Sequence, residues 1–306
     1  MKETAVLLID CPDQKGLVAR VSSLLYRHGA NILHADQHQD HGLGLFFMRV
    51  EWGLDGSADS GSSAAKPVHA GSKAPPPAVP FDLEAFKAEF EPLALELRMR
   101  WKLTTSGHRP RVALFCSQYL HCVGDLLFRW RAGELDCEIP LIISNHRAVA
   151  DLAVFYGIHF EHVSVNAATS AQAEARQLEL LARQKVELVV LARYMQILSP
   201  SFVARYPDSI INVHHSFLPA FTGAKPYHAA HARGVKLIGA TSHYVTEALD
   251  DGPIIEQDVA RISQNDQLPS LIQKGRDLER MVLSRAVQWH LGHRILSYAN
   301  KTVIFA

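Results

Sequence analysis

The spacing at which apolar residues recur changes several times in the first hundred residues, and each change predicts a different secondary-structure element. Residues 4–10 and 44–52 are apolar runs bounded by turn residues, and they predict strands. Apolar side chains recur every three or four positions over 15–28, which predicts a helix that ends at Gly29. Residues 31–38 predict a further strand. The chain therefore begins with the order strand, helix, strand, strand.

A helix predicted over 82–97 and a strand over 98–103 extend this order to that of a ferredoxin-like α+β domain. Gly, Ser, Ala and Pro dominate the stretch 53–80, in which no period persists. That composition predicts a disordered insertion, because it offers too few apolar side chains for packing. We predict a first domain over 1–103, followed by a linker at 104–110.

Strand and helix patterns alternate from residue 111 onward. The predicted strands are 111–116, 139–143, 160–164, 186–191, 210–211, 235–245 and 252–261, and the predicted helices are 125–135, 147–156, 169–184 and 266–291. This alternation predicts an α/β domain over 111–306, doubly wound around a mostly parallel sheet. The final residues, TVIFA, form a candidate edge strand.

The charge balance and the cysteine content argue against several classes of function for this protein. Lys plus Arg and Asp plus Glu both number 31, which argues against nucleic acid or an anionic membrane as the main partner. No apolar run approaches the roughly 20 residues of a membrane helix. The four cysteines have no CxxC spacing and the first apolar run is too short for a signal peptide, so we expect reduced thiols in a cytoplasmic protein. We expect no metal site, because neither HExxH nor a zinc-type Cys/His spacing occurs.

A polar triplet follows the short strand pattern Ile210-Ile211. Alternation along an extended segment places Asn212, His214 and Ser216 on one side and His215 on the other. Ligands of open parallel sheets bind outside the carboxyl ends of the strands, which is where this triplet is expected. A surface loop whose polar side chains cap its own backbone is the alternative, and spacing alone favours it.

The triplet belongs to a longer motif. Asn-x-His-x-Ser-x-Leu-Pro-x-Phe, here within INVHHSFLPAFTGAKPYH, resembles the active-site signature of folate-dependent formyltransferases, in the version of the formyltetrahydrofolate deformylase family. Pro219, Gly223 and Pro226 are expected to keep this stretch out of helix and sheet. The resemblance implies catalytic roles for Asn212 and His214. It covers almost the whole chain apart from the insertion.

Two further segments carry the same resemblance. LARYMQILSP is similar to the family's folate-pocket loop, which implies substrate binding by Tyr194, Met195, Gln196, Ile197 and Leu198. Taken one at a time, the apolar members are equally compatible with an ordinary core. Gln196 stands where related glycinamide ribonucleotide transformylases have arginine, so contacts of that arginine are not expected.

The segment ATSHYVTEALDDGPIIEQD supplies a carboxylate. Asp250, two residues before Gly252, matches the family's essential catalytic aspartate, and His243 matches a histidine that is expected beside the substrate, behind the catalytic groups. Without the resemblance, this Asp-Asp-Gly-Pro sequence is simply a turn. Asp251 is then the aspartate expected to be solvated.

The first domain carries a second resemblance. CPDQKGLVARVSSLLYRHGANILHADQH resembles the ACT module, a small-molecule regulatory domain. This implies a regulatory site at Asp13, Gly16 and Asn31, amino-acid effectors such as methionine and glycine, and a homo-oligomer. Spacing alone favours the alternative, in which the three residues are ordinary turn and cap positions.

The resemblance implies hydrolysis of 10-formyltetrahydrofolate to formate and tetrahydrofolate by metal-free acid–base catalysis, with formate feeding purine biosynthesis. Folate is then the substrate, and no cofactor is expected. Formyl transfer to an amine and a non-catalytic amino-acid sensor are the alternatives. Residues 116–127 contain a single glycine and no phosphate-binding Gly/Ser cluster, which favours water as the acceptor. The joint presence of Asn212, His214 and Asp250 favours an enzyme.

Overall fold

A computed structural model describes residues 3–55, 80–219 and 226–306 of the chain. The chain forms two compact units, Met1–His108 and Arg109–Ile304. Most of the insertion predicted over 53–80 lies outside the described residues, as does the part of the Pro-rich loop from 220 to 225. None of the helices within the described ranges is long and apolar enough to cross a membrane.

The first unit has the predicted ferredoxin-like plan. Its elements are β1 (Thr4–Pro12), α1 (Leu17–Arg27), β2 (Asn31–Asp40), β3 (Leu45–Gly53), α2 (Leu83–Glu96) and β4 (Arg100–Thr105). The strands form an antiparallel sheet in the order β2-β3-β1-β4. Alternate residues of β1, among them Leu7 and Ile9, share one apolar core with Phe86 and Phe90 of α2. Val6 and Leu8 are also buried, so the period of two in β1 decides which of its side chains join this core.

Local chemistry fixes the ends of these elements. Gly29 adopts a φ of 76°, so the helix α1 ends where the sequence predicts. The side chain of Asp82 accepts hydrogen bonds from the backbone N–H groups of Glu84 and Ala85 and so caps α2. β1 continues past its predicted end at residue 10, because Pro12 still pairs with Leu45 of β3.

The second unit is the predicted α/β domain. Its elements are β5 (Arg111–Cys116), α3 (His121–Arg131), β6 (Glu138–Ser144), α4 (Ala150–Tyr156), β7 (His159–His162), α5 (Ser170–Arg183), β8 (Leu188–Ala192), α6 (Pro200–Val203), β9 (Ile210–His214), α7 (Pro226–Arg233), β10 (Leu237–Tyr244), β11 (Ile254–Arg261), α8 (Leu268–Leu291), β12 (Ile295–Tyr298) and β13 (Lys301–Ile304). Seven strands form one sheet in the order β11-β10-β9-β8-β5-β6-β7. β5 to β9 run parallel, and β10 and β11 are antiparallel to their neighbours. Two separate apolar clusters contain residues from the sheet strands.

Two helices of this unit differ clearly from the prediction. α3 starts at His121 and ends at Arg131, earlier than the predicted 125–135, because Gly133 turns the backbone to a φ of 80°. α7 begins at Pro226, where a helix was not expected. Proline is compatible with the first helical turn, since no N–H is needed there. The C-terminal residues do form a strand, β13, which pairs with β12 in a separate two-stranded sheet.

Candidate active site

Strand β9 carries Asn212 and His214 of the candidate motif and runs three residues further than predicted, through His214. It continues because partners flank it on both sides. Asn212 lies opposite Leu191 of β8 and His243 of β10, and His214 lies opposite Thr241 of β10. The motif is therefore built into a central strand at its carboxyl end, with its backbone direction fixed by the sheet.

The structure brings His214 and Asp250 together. Nδ1 of His214 lies 3.1 Å from Oδ2 of Asp250, and both side chains are largely buried. Asp250 has a φ of 54°, a left-handed conformation that Asp and Asn tolerate better than most residues. The pairing of these two residues is thus a feature of tertiary structure, in which a loop between β10 and β11 delivers a carboxylate to the end of β9.

This contact sets the charge of the carboxylate. The hydrogen bond from His214 holds the pKa of Asp250 below its ordinary value despite partial burial. Asp250 is therefore ionised at neutral pH and accepts at Nδ1 of His214. In the neutral imidazole this leaves a lone pair on Nε2 of His214. That nitrogen is buried and has no hydrogen-bond partner among the described residues, so no other protein group uses its lone pair.

Asn212 and His243 form a second chain of contacts. Nδ1 of His243 lies 2.9 Å from the carbonyl oxygen of Tyr244, which can only accept, so this nitrogen carries a proton. Nε2 of the neutral ring then accepts from Nδ2 of Asn212, 3.2 Å away. The Asn212 amide is oriented by this contact and retains its second N–H. His243 thus contacts Asn212 from the neighbouring strand β10.

His215 does not point away from His214. The two ring centroids are 5.1 Å apart, and His215 is as buried as its neighbour. The alternation that predicted opposite sides ends with β9 at His214, because the next residues leave the sheet. The expectation for His215 was therefore wrong, and this histidine belongs to the same side of the site.

Hydrogen bonds from the neighbouring strands hold the turn after His214. Oγ1 of Thr241 donates to the carbonyl of Ser216 at 2.9 Å and accepts from the backbone N–H of Leu218 at 3.1 Å. Nε2 of Gln257 donates to Oγ1 of Thr241 and to the carbonyl of Leu218. Ser216, expected on the side of Asn212, is buried next to these hydrogen bonds.

A cavity of about 430 Å³ opens over these groups, within the size range of small-molecule sites. Its wall includes all the proposed catalytic and folate-binding residues: Tyr194, Met195, Gln196, Ile197, Leu198, Asn212, His214, His243 and Asp250. Met195 and Ile197 are 44% and 72% exposed, so their apolar surfaces are available to a ligand. Leu198 is buried, which makes it a supporting residue.

Tyr194 also supports the wall from behind. Its hydroxyl accepts a hydrogen bond from Nε2 of Gln177 at 2.8 Å, and its ring packs edge-on against Phe115 at 5.2 Å. Burial raises the pKa of Tyr194 to about 12, so the phenol stays protonated. Its ring belongs to an apolar core cluster. Tyr194 therefore behaves as an ordinary core residue, which was the alternative to folate binding for the apolar residues of this loop.

A buried polar cluster next to the cavity was missed by sequence reasoning. The carboxylate of Glu279 on α8 contacts Nε2 of His121 at 2.7 Å and accepts from the hydroxyl of Tyr227 at 2.6 Å. Nε of Arg193 lies 3.4 Å from the same carboxylate. Burial raises the pKa of Glu279, but His121, Arg193 and Tyr227 together outweigh it and hold that pKa below its ordinary value. The sequence feature that could have pointed to this cluster is the position of Arg193 directly after strand β8, because the carboxyl ends of parallel strands are where ligands bind.

His121, Cys122 and Glu279 are close enough to suggest a metal site, since their ligand atoms lie within 4.8 Å of one another. The surroundings do not suit a cation. Both carboxylate oxygens of Glu279 already have partners, and the Arg193 guanidinium adds a positive charge. Burial also raises the pKa of Cys122 well above its ordinary value, so the thiol stays protonated.

The proposed regulatory residues of the first unit lie around the start of α1. Oδ1 of Asp13 accepts from Nε2 of Gln39 at 3.1 Å. Gly16 has a φ of 88° at the N-cap of α1, and Asn31 opens β2. Asp13 and Asn31 are exposed, which is compatible with both a ligand site and turn chemistry.

The four cysteines are buried and unpaired. Burial raises the pKa of both Cys116 and Cys137 to about 12, so neither is a thiolate nucleophile at neutral pH.

Comparison with known proteins agrees with this architecture. Residues 110–287 match the formyl transferase family and residues 5–51 match the ACT domain. The formyltetrahydrofolate deformylase of Synechocystis sp. is 50% identical over 303 residues, covering 99% of each chain. That of Bacillus subtilis is 45% identical, over 98% of this chain and 93% of the relative.

Solved structures give the same picture. A formyltetrahydrofolate deformylase from Pseudomonas syringae superposes with a TM-score of 0.90 at 44% identity, covering 100% of this chain and 95% of the other. A glycinamide ribonucleotide transformylase from Symbiobacterium toebii reaches a TM-score of 0.62 at 26% identity, covering 67% of this chain and 98% of the other. The similarity to transformylases thus extends over about two thirds of the chain.

Proposed function

Because the chain belongs to the formyltetrahydrofolate deformylase family, enzymes that hydrolyse a carbon–nitrogen bond, we propose that it converts 10-formyltetrahydrofolate and water to formate and tetrahydrofolate. The observation that carries this proposal is the contact of His214 with Asp250, beside Asn212, in the wall of one cavity. We assign folate binding to that cavity, with Met195 and Ile197 against the flat ring system.

His214 is the general base of the proposed reaction. Its Nε2 carries a lone pair when Nδ1 donates to Asp250, so it takes a proton from water as the water oxygen attacks the formyl carbon. The imidazolium that forms is stabilised by the carboxylate 3.1 Å away. Asp250 therefore orients and stabilises His214, and we assign the direct contact with water to His214.

Asn212 donates a hydrogen bond to the oxyanion of the proposed reaction. Attack moves the carbonyl electrons onto the formyl oxygen, and a preoriented N–H donor lowers the energy of that state. One N–H of the Asn212 amide is held by His243, which leaves the other for the oxyanion. The tetrahedral intermediate then collapses: the carbon–nitrogen bond breaks as the folate nitrogen takes the proton from His214, and the formic acid that forms gives its remaining proton to water and leaves as formate. This scheme requires no metal ion.

Formyl transfer to an amine acceptor is the second candidate function, since the fold of the second unit is shared with glycinamide ribonucleotide transformylases. The segment after β5 argues against it. Its Ser117 side chain donates to Oδ1 of Asn145 and accepts from the N–H of Met195, and its His121 contacts buried Glu279. These side chains form hydrogen bonds within the protein and are not available to bind the phosphate of an acceptor.

The deciding experiment is a turnover assay with 10-formyltetrahydrofolate. We expect formate and tetrahydrofolate to appear at the same rate with and without glycinamide ribonucleotide. Strict dependence on the amine would identify a transferase. No turnover under either condition would favour an amino-acid sensor.

The wider role follows from this reaction. Release of formate would feed purine biosynthesis and balance the one-carbon pool, and the ACT unit would adjust the rate through methionine and glycine bound near Asp13, Gly16 and Asn31. We further propose a homo-oligomer in the cytoplasm, where four unpaired cysteines remain reduced.

A further inference from the structure

Arg193 is a buried cation in the wall of the catalytic cavity. It directly follows strand β8, has a left-handed φ of 63°, and exposes only 10% of its side chain. Its guanidinium carbon lies 5.2 Å from the centre of the Tyr119 ring. A buried arginine in a left-handed conformation is costly to maintain, and the cost rises when some of its N–H groups lack acceptors.

The hydrogen bonds of Arg193 are incomplete. Among the described residues, neither Nε nor Nη1 has a hydrogen-bond acceptor, although both atoms are buried. The nearest anion, Glu279, is 3.4 Å from Nε without bonding geometry, and its own oxygens are occupied by His121 and Tyr227. A buried N–H without an acceptor costs free energy, so a ligand oxygen is the natural partner for Nη1.

We propose that Arg193 binds the small carboxylate product, formate, and holds it in the cavity after the carbon–nitrogen bond has broken. This inference rests on the proposed function, because deformylation is the step that creates an anion in this cavity. The neutral formyl group of the substrate gains little from a guanidinium, whereas a carboxylate forms charge-assisted hydrogen bonds with it. Glu279, 3.4 Å from Nε, offsets part of the charge of Arg193, which keeps formate binding weak enough for release.

The test uses the substitution Arg193→Lys in the full chain. Lysine keeps the positive charge beside Glu279 but lacks the guanidinium fork. Arg276→Lys is the matched control, because Arg276 also lies over the Tyr119 ring, at 5.8 Å, but is exposed on α8 and is not part of the cavity wall. Formate binding to the free protein is measured by saturation-transfer NMR of sodium formate, with sodium chloride at equal ionic strength as the blank.

We expect formate to bind to wild type and to Arg276→Lys with the same affinity, and at least about tenfold more weakly to Arg193→Lys, as for a lost charge-assisted hydrogen bond. Product inhibition by formate should weaken by the same factor. Equal binding by Arg193→Lys, or no formate signal from wild type, overturns the inference. If Arg193→Lys does not fold, the double variant Arg193→Met/Glu279→Gln, which removes both charges together, takes its place.

The failure of this inference is distinguishable from failure of the proposed function. Turnover of 10-formyltetrahydrofolate by wild type with unchanged formate binding in Arg193→Lys would refute only the role of Arg193. Absence of turnover would refute the deformylase reaction, whereas the formate titration on free protein would still report on the anion site.

Discussion

Gly252 packs directly against the carbonyl group of Tyr244: a Cβ on Gly252 would lie 1.8 Å from that oxygen. The same carbonyl accepts from Nδ1 of His243, and the N–H of Tyr244 donates to the carbonyl of Pro253. This close approach fixes the loop that presents Asp250 to His214. The Asp-x-Gly spacing in the sequence thus has a steric cause.

We therefore expect Gly252→Ala to lower the deformylase rate strongly and to reduce the thermal midpoint, because the backbone must move and carry Asp250 with it. Gly124→Ala is the control. A Cβ there meets its nearest neighbour, Leu152, at 4.0 Å, and alanine favours the helix α3. Rate and midpoint are measured for both variants, and an active, stable Gly252→Ala would show that the loop adapts without cost.

Asp250→Asn should abolish turnover while preserving the fold. Asparagine has nearly the same volume and accepts the left-handed φ of 54°, but it cannot stabilise the imidazolium of His214. Asp251→Asn is the matched control, since Asp251 is exposed and next in sequence. Activity is measured by formate release and folding by circular dichroism; full activity in Asp250→Asn would refute the assignment of the carboxylate.

The lowered pKa of Asp250 also predicts a pH dependence of stability. Its contribution to the free energy of unfolding is fully present above the unfolded aspartate pKa of about 4 and is lost as pH falls through the lower folded pKa. The stability difference between wild type and Asp250→Asn should therefore shrink as pH falls below about 4. Urea titrations at several pH values measure this, and a difference that grows on acidification would contradict it.

His214→Ala should lower the rate by about 10² to 10⁴, the usual cost of a lost acid–base group. Asn212→Ala should cost about 10² to 10³ if its amide meets the oxyanion. The double variant should be little worse than the worse single one, because the two act in the same step. Single-turnover formate release measures all three, and folate affinity should be retained, since Met195 and Ile197 are unchanged.

His215→Ala is now expected to lower activity too, contrary to the expectation from alternation, because its ring lies 5.1 Å from that of His214. His228, exposed on α7, is the better control histidine, and His228→Ala should be silent. A fully active His215→Ala would mean that the neighbouring ring contributes only packing. The assignment of the base fails if His215→Ala is inactive and His214→Ala is not.

Deleting residues 57–78 should leave turnover and thermal midpoint nearly unchanged. The N–H of Phe81 donates to the carbonyl of Leu54 at 3.0 Å, so the residues flanking the segment are already joined and a short connection closes the gap. The segment offers few apolar side chains, and shortening a loop changes its closure entropy little. A clear fall in the midpoint, measured by calorimetry, would show that the segment packs on the protein.

Periodicity in the sequence was enough to predict both sheets, because burial of one or both strand faces leaves a pattern in neighbouring residues. The motif around Asn212 and His214 and the Asp-x-Gly turn likewise identified the catalytic candidates, since their residue types and order can be read along the chain. Boundaries were less certain. β9 extends to His214 because strands β8 and β10 pair with it, which no local pattern records.

Only the tertiary structure decided how the side chains meet. The contact of His214 with Asp250 and the tautomer of His243 depend on groups from different strands and loops. The rings of His214 and His215 lie 5.1 Å apart where the chain leaves strand β9, and Arg193 lies 3.4 Å from Glu279 of α8. Hydrogen bonds between residues distant in sequence set these directions, so local spacing could not.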